Sequence, residues 1–131
     1  MEKQTYTVLC EERVEALLEK AWMCSFAMSD GCTPYVLPMC CRFCQQCGRW
    51  VATLYSEPCG RKMQMIRRNP HVALLVHTEG KDCMESVTAF GCVRVAALHT
   101  DDFPGYPVRL EVTLQDVSGR MYKKPQSCSC N

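Results

Sequence analysis

The sequence predicts a mainly β protein: a small antiparallel β-barrel of about six strands, with one helix ahead of them and one short helix after the third strand. Three observations carry this. Short segments of strand composition recur along the chain, each bounded by Gly, Pro, Asn or Asp turn signals. Helical periodicity appears in two places, one near the amino terminus and one near the middle. The 131 residues, 47% hydrophobic and 22% charged and without an internal repeat, amount to one globular domain, so short strands must close on a single core.

In chain order, Val8 to Trp22 places Val14, Leu17, Leu18 and Ala21 on one helical face, with Glu11, Glu12, Glu15 and Glu19 mostly opposite. The early acids suit the helix dipole, and Thr7 is the predicted N-cap. Met23 to Met28 reads as the first strand, ended by Ser29-Asp30-Gly31. Pro34 to Cys44 is the second. Gln45-Gln46-Cys47-Gly48 turns it back into Arg49 to Ser56, so these two form a hairpin.

Pro58-Cys59-Gly60 interrupts the sheet. Arg61 to Asn69 is a short helix with Met63 and Ile66 inward, stopped by Asn69-Pro70. His71 to His77 is an apolar strand, and Ser86 to Ala97 is a long one with Gly91 at a bulge or bend. A loop covers Leu98 to Pro107. Val108, Leu110, Val112 and Leu114 then alternate with polar residues, the pattern of a half-buried strand. The domain spans residues 1–131, with 122–131 read as a polar tail.

Fifteen basic and fourteen acidic residues leave a net charge of +1, so nothing points to nucleic acid or to a polybasic membrane anchor. No apolar run approaches the roughly 20 residues of a membrane span, and Met1 to Thr7 lacks the apolar stretch of a secretory signal. The expected location is the cytoplasm. Twelve cysteines would suit a disulfide scaffold in a short secreted chain, but here they read as small hydrophobes in a reducing compartment. Cys41, Cys44 and Cys47, with Cys40 alongside, share the C-x2-C-x2-C opening of an iron–sulfur run. Val51 stands where a fourth ligand would be, and Cys128 and Cys130 would complete a set only if the tail folds back. No metal site is assigned. His71, His77 and His99 read as packing or loop residues. Trp22 and Trp50 read as core or interface anchors, and the methionines as gap fillers.

The informative stretch is Leu54-Tyr55-Ser56-Glu57-Pro58-Cys59-Gly60-Arg61-Lys62. A strand ends, the chain turns at glycine, and a helix starts with two cations. Cations in a first turn oppose the helix dipole. An anion such as a phosphate would resolve the conflict, held by free N–H groups, Arg61 and Lys62.

The blocks Gly31-x-x-Pro34-Tyr35-Val36-Leu37-Pro38, Leu54-Tyr55-Ser56, Gly60-Arg61-Lys62, Ile66-Arg67-Arg68-Asn69-Pro70-His71-Val72, and Glu85-Ser86-Val87 through Phe90-Gly91 stand in a familiar order and spacing. The chain resembles the FMN-binding split-barrel proteins, the pyridoxamine 5′-phosphate oxidase-like superfamily, nearest its nitroimidazole-resistance branch. The resemblance spans about residues 8 to 120. It implies a six-stranded antiparallel split β-barrel that forms a homodimer with FMN at the subunit interface. Arg61 and Lys62 match the phosphate-binding pair. Tyr55 and Ser56 match the strand along the ribityl and phosphate, and Val36, Leu37, Pro38 and Met39 the strand facing the flavin ring. Ser86 and Val87 match the strand that reaches the partner's flavin edge. Tyr55 stands where many relatives carry His, and the C-terminal features of the true oxidase have no counterpart.

The implied function is an FMN-dependent oxidoreductase acting on a small acceptor such as a nitroaromatic or quinone. No G-x-G-x-x-G follows a strand, so NAD(P)H would dock only transiently. No catalytic acid is nominated. The alternatives are an FMN carrier or redox sensor without turnover, and a metal or iron–sulfur module built on Cys41, Cys44 and Cys47.

Overall fold

The computed structural model describes residues 5–125. Seven strands and two helices run in the order β1 (Tyr6–Val8), α1 (Glu11–Lys20), β2 (Met23–Ser29), β3 (Pro34–Gln46), β4 (Arg49–Ser56), α2 (Arg61–Arg68), β5 (His71–Glu79), β6 (Cys83–Ala97) and β7 (Val108–Lys123). All pairings are antiparallel. The order β7-β4-β3-β2-β5-β6 closes on itself where β6 pairs with β7. Those six strands are the expected barrel, and α2 follows the third of them. β1 is an addition outside the ring, lying along the far half of β7 with Tyr6 opposite Tyr122.

Inward positions alternate as a closed sheet requires. Phe26, Leu54, Leu74, Leu110 and Val112 fill the interior. Met63, Met65 and Ile66 of α2 join the same core, and α2 packs on β2. Helix α1 contributes Leu17 and Leu18 and crosses β7 at Gly119. A Cβ there would stand 2.6 Å from Val14 Cγ2 and 3.1 Å from Leu9. At Gly91 the β6–β7 register shifts by one residue, the expected bulge. A side chain at Gly91 would run into the carbonyl of Thr113, so the sheet closes there only over glycine.

Several boundaries differ from those expected: β5 runs on to Glu79, and β6 already starts at Cys83, ahead of Ser86. Helix α1 starts at Glu11, capped by Cys10 without a side-chain bond, because Thr7 is taken into β1. The hairpin between β3 and β4 is tighter than expected. Cys47 and Gly48 both have positive φ, as a two-residue turn of the right twist demands. β7 continues through Tyr122 and Lys123, which the reading placed in the tail. Residues 126–131 of that tail, Cys128 and Cys130 among them, lie outside the described residues. No helix among the described residues is long and apolar enough to cross a membrane.

Candidate functional site

The end of β4, the start of α2 and the β6–β7 loop converge on one cleft. Gly60 makes this possible. Its φ of 116° lies in a region open to glycine, and it sets the first turn of α2 directly after the strand. No side chain caps that helix, and its first turn holds no acid. The N–H groups of Arg61, Lys62 and Met63 therefore have no partner within the helix.

A cleft of about 300 Å3 lies beside this helix start, lined by Met23, Leu37, Pro38, Met39, Cys40, Tyr55, Glu57, Lys62, Phe103 and Tyr106. One wall is aromatic. The Tyr55 ring stacks on Phe103 with centroids 5.7 Å apart, and Tyr106 meets Phe103 edge-on at 5.1 Å. The thioether and apolar surface of Met23, Leu37 and Met39 also lines the cleft. Lys62 is half-buried and has no ion pair among the described residues. Burial pushes its ammonium below the ordinary lysine pKa, and Glu57 partly opposes that. A bound anion would reverse the burial penalty.

The loop that carries Phe103 is pinned from below. Tyr55 Oη and Arg109 Nη1 both donate to Asp102 Oδ2 at 3.1 Å, and the Asp102 N–H donates to Thr100 Oγ1 at 3.1 Å. Bonds from Thr100, Tyr55 and Arg109 hold the Asp102 carboxyl below the usual aspartate range. Burial, then Asp102, pushes Tyr55 up. A carboxylate whose folded pKa is depressed contributes above its unfolded pKa, and that contribution is lost as pH falls through the folded value. Amide protection of residues 98–107 is thus expected to hold from pH 7 to about pH 4 and to fall below it. Asp102→Ala should loosen the same loop at pH 7. Full protection at pH 2 would show that Asp102 is not the anchor.

The structure brings Leu37, Pro38, Met39, Tyr55 and Lys62 together in this cleft. Others lie elsewhere. Val36 points outward and is 62% exposed. Ser56 is fully buried and donates to the Glu57 carbonyl at 2.8 Å. Consecutive helical residues point about 100° apart, so Arg61 turns from the cleft that Lys62 faces. It sits 5.6 Å from the Tyr35 ring centroid and lines a second hollow with Asp30, Thr33, Gln64 and Arg68. Ser86 is buried on β6, and Val87 is 1% exposed inside the barrel, so its side chain belongs to the core.

Met23, Glu57, Phe103 and Tyr106 were not foreseen. Phe103 and Tyr106 in an otherwise polar loop were the available signal, because aromatic rings in such a loop need a surface to cover.

The cysteine run does not gather. β-strand side chains alternate, so a spacing of three places Cys41 inside the barrel and Cys44 outside it, while Cys47 sits in the turn. Among the described residues no group of three or more His, Cys, Asp or Glu side chains is placed to hold a metal ion.

No family model and no curated protein matches the sequence. Solved structures do match. A FAD-binding protein from Mesorhizobium loti superposes with a TM-score of 0.74 at 18% identity, covering 91% of this chain and 98% of that one. A protein assigned to 5-nitroimidazole antibiotic resistance from Bacteroides thetaiotaomicron gives 0.72 at 21% identity, covering 90% and 88%. A FAD-binding protein from Mycobacterium smegmatis gives 0.67 at 16% identity, covering 89% and 98%. At these identities the likeness is one of fold: the chain is a split β-barrel, as the sequence resemblance implied.

Proposed function

We infer that this split barrel binds FMN in the cleft between β3, β4 and α2, and acts as an FMN-dependent oxidoreductase on a small acceptor such as a nitroaromatic or quinone. One observation carries the reading. The half-buried Lys62 ammonium, without an ion pair among the described residues, and the start of α2, where Gly60 offers no side-chain cap, stand at the edge of a cleft walled by aromatic rings and thioethers. A terminal phosphate carries about two negative charges at neutral pH and suits that helix start. The apolar walls suit a flat ring system. Two of the solved split barrels named above are FAD-binding proteins, which supports a flavin of some kind.

In this reading Lys62 and the N–H groups of the first turn of α2 hold the phosphate, with Arg61 adding long-range positive charge. Leu37, Pro38 and Met39 form the apolar face under the ring, and Tyr55 and Phe103 exclude water from its side. A bound flavin supplies one- or two-electron transfer; the protein supplies position and electrostatics.

A homodimer fits the surface around the cleft. Trp22 is 69% exposed, and Met23 and Val36 are exposed with it, so apolar area stands uncovered beside the site. The cytoplasm fits the twelve cysteines, none of which the reading needs as a disulfide.

The test is a titration of the purified protein with FMN and FAD, followed by visible spectroscopy and sedimentation at micromolar concentration. FMN is expected to bind more tightly than FAD, with a two-band flavin spectrum and a dimeric mass. A colourless protein that takes up neither flavin would overturn the reading. Flavin held without turnover of NAD(P)H and an acceptor would leave a carrier or sensor instead of an enzyme.

A further inference from the structure

A second cluster lies at the other end of β2. Met23 opens that strand in the cleft, whereas Ser29 closes it beside His71. Six residues of antiparallel strand separate them by about 20 Å. There β5 and β6 pair with His71 directly opposite Cys92. The Cys92 Sγ lies 3.5 Å from His71 Nδ1, and Gln115 Nε2 donates toward the same sulfur at 3.9 Å. Gln115 is the extra residue of the β7 bulge opposite Gly91, and that bulge turns its amide toward Cys92. His71 and Gln115 also line an open groove of about 400 Å3 with Ala27, Ala73 and Phe90. Phe90 is 51% exposed.

We propose that Cys92, His71 and Gln115 form a thiol-exchange site that takes low-molecular-weight disulfides, with the groove seating the organic part of the reagent. A thiol becomes a nucleophile as its thiolate. In the tautomer with its ring proton on Nε2, His71 has Nδ1 placed to accept the Cys92 proton. Gln115 Nε2 donates toward the same sulfur and holds it facing His71. The Cys92 sulfur then attacks one sulfur of the disulfide. A new S–S bond forms to Cys92, the old S–S bond breaks, and the leaving thiolate takes the proton from His71. Cys92 is oxidised to a mixed disulfide and the leaving sulfur is reduced to a thiol, so the number of S–S bonds is unchanged.

Of the other cysteines, the exposed Cys10, Cys32 and Cys59 have no imidazole contact among the described residues. Cys24 and Cys41 are buried in the core. The hydrogen bond toward Cys41, then burial, pushes the Cys24 thiol far above its ordinary pKa. The chain thus carries its own fast and slow references.

The experiment incubates the reduced, intact protein with oxidised glutathione at pH 7. Site-resolved mass spectrometry then gives the rate of mixed-disulfide formation at each cysteine. Cys92 is expected to react about tenfold faster than Cys10, Cys32 and Cys59, with Cys24 and Cys41 slowest. His71→Ala, a change at an exposed position, should bring Cys92 down to the rate of the exposed group. In urea the lead of Cys92 should vanish in the parent protein. Cys92 reacting no faster than the exposed thiols in the folded protein, or keeping its rate in His71→Ala, would overturn the proposal.

Discussion

Lys62→Ala is expected to weaken FMN binding by about ten- to a hundredfold. A charge-assisted hydrogen bond is worth roughly 1.5–3 kcal/mol, and each 1.4 kcal/mol or so is a factor of ten. Lys62 is the cation that faces the cleft, while its neighbour Arg61 faces the hollow around Asp30 and Arg68. Arg61→Ala alone should therefore cost less than Lys62→Ala, and the double variant should lose several kcal/mol only if the phosphate lies close enough to the helix start to feel both. Folding should not suffer, because the substitution removes a half-buried ammonium with no ion pair among the described residues. Fluorescence titration with FMN checks the affinity, and circular dichroism checks the fold. Unchanged affinity in the double variant would remove the phosphate from this helix.

Phe26→Ala is expected to destabilise the fold by about 3–5 kcal/mol, the range for an emptied aromatic site in a core. Phe26 is completely buried at the middle of β2, with Leu37 opposite on β3 and Leu74 opposite on β5. A closed ring of hydrogen-bonded strands has little freedom to collapse into the gap. Urea unfolding gives the change directly. A loss below about 1 kcal/mol would mean that the interior repacks around the void.

The ring was legible where a strand has one wet face or clear turn residues. Val108 to Leu114 alternates cleanly, and Arg49 to Ser56 is bounded by Gly48 and Pro58. Legibility failed where structure depends on a distant partner. Gln115 to Lys123 mixes Asp116, Ser118, Gly119 and Arg120 without alternation, yet it is strand because β6 and β1 hold it from both sides. Tyr6 to Val8 is too short to read by itself, and β7 pairing makes it a strand instead of a helix cap. At the site, the motif from Leu54 to Lys62 marked the helix start and its cations. It could not show that helical geometry sends Arg61 and Lys62 to different hollows. Nor could it show that Phe103, more than forty positions later, would stack on Tyr55. The thiol run is scattered by strand geometry: Cys41 and Cys44 fall on alternating faces of β3, and Cys47 lies in the turn after it.

The pairing of β7 with β1, β4 and β6 has a consequence for biosynthesis. Tyr6 waits for Tyr122, and Val51 waits for Thr113. Until the last strand has cleared the ribosome, β4 exposes an unpaired edge, β6 lacks its second neighbour, and the barrel interior has no final wall. Contacts so distant along the chain slow the search for the native state, since loop-closure entropy is spent before the pairing that offsets it is made. Before β7 is delivered, the nascent sheet is open-edged, and pairing of that edge with another chain competes with closure of the barrel.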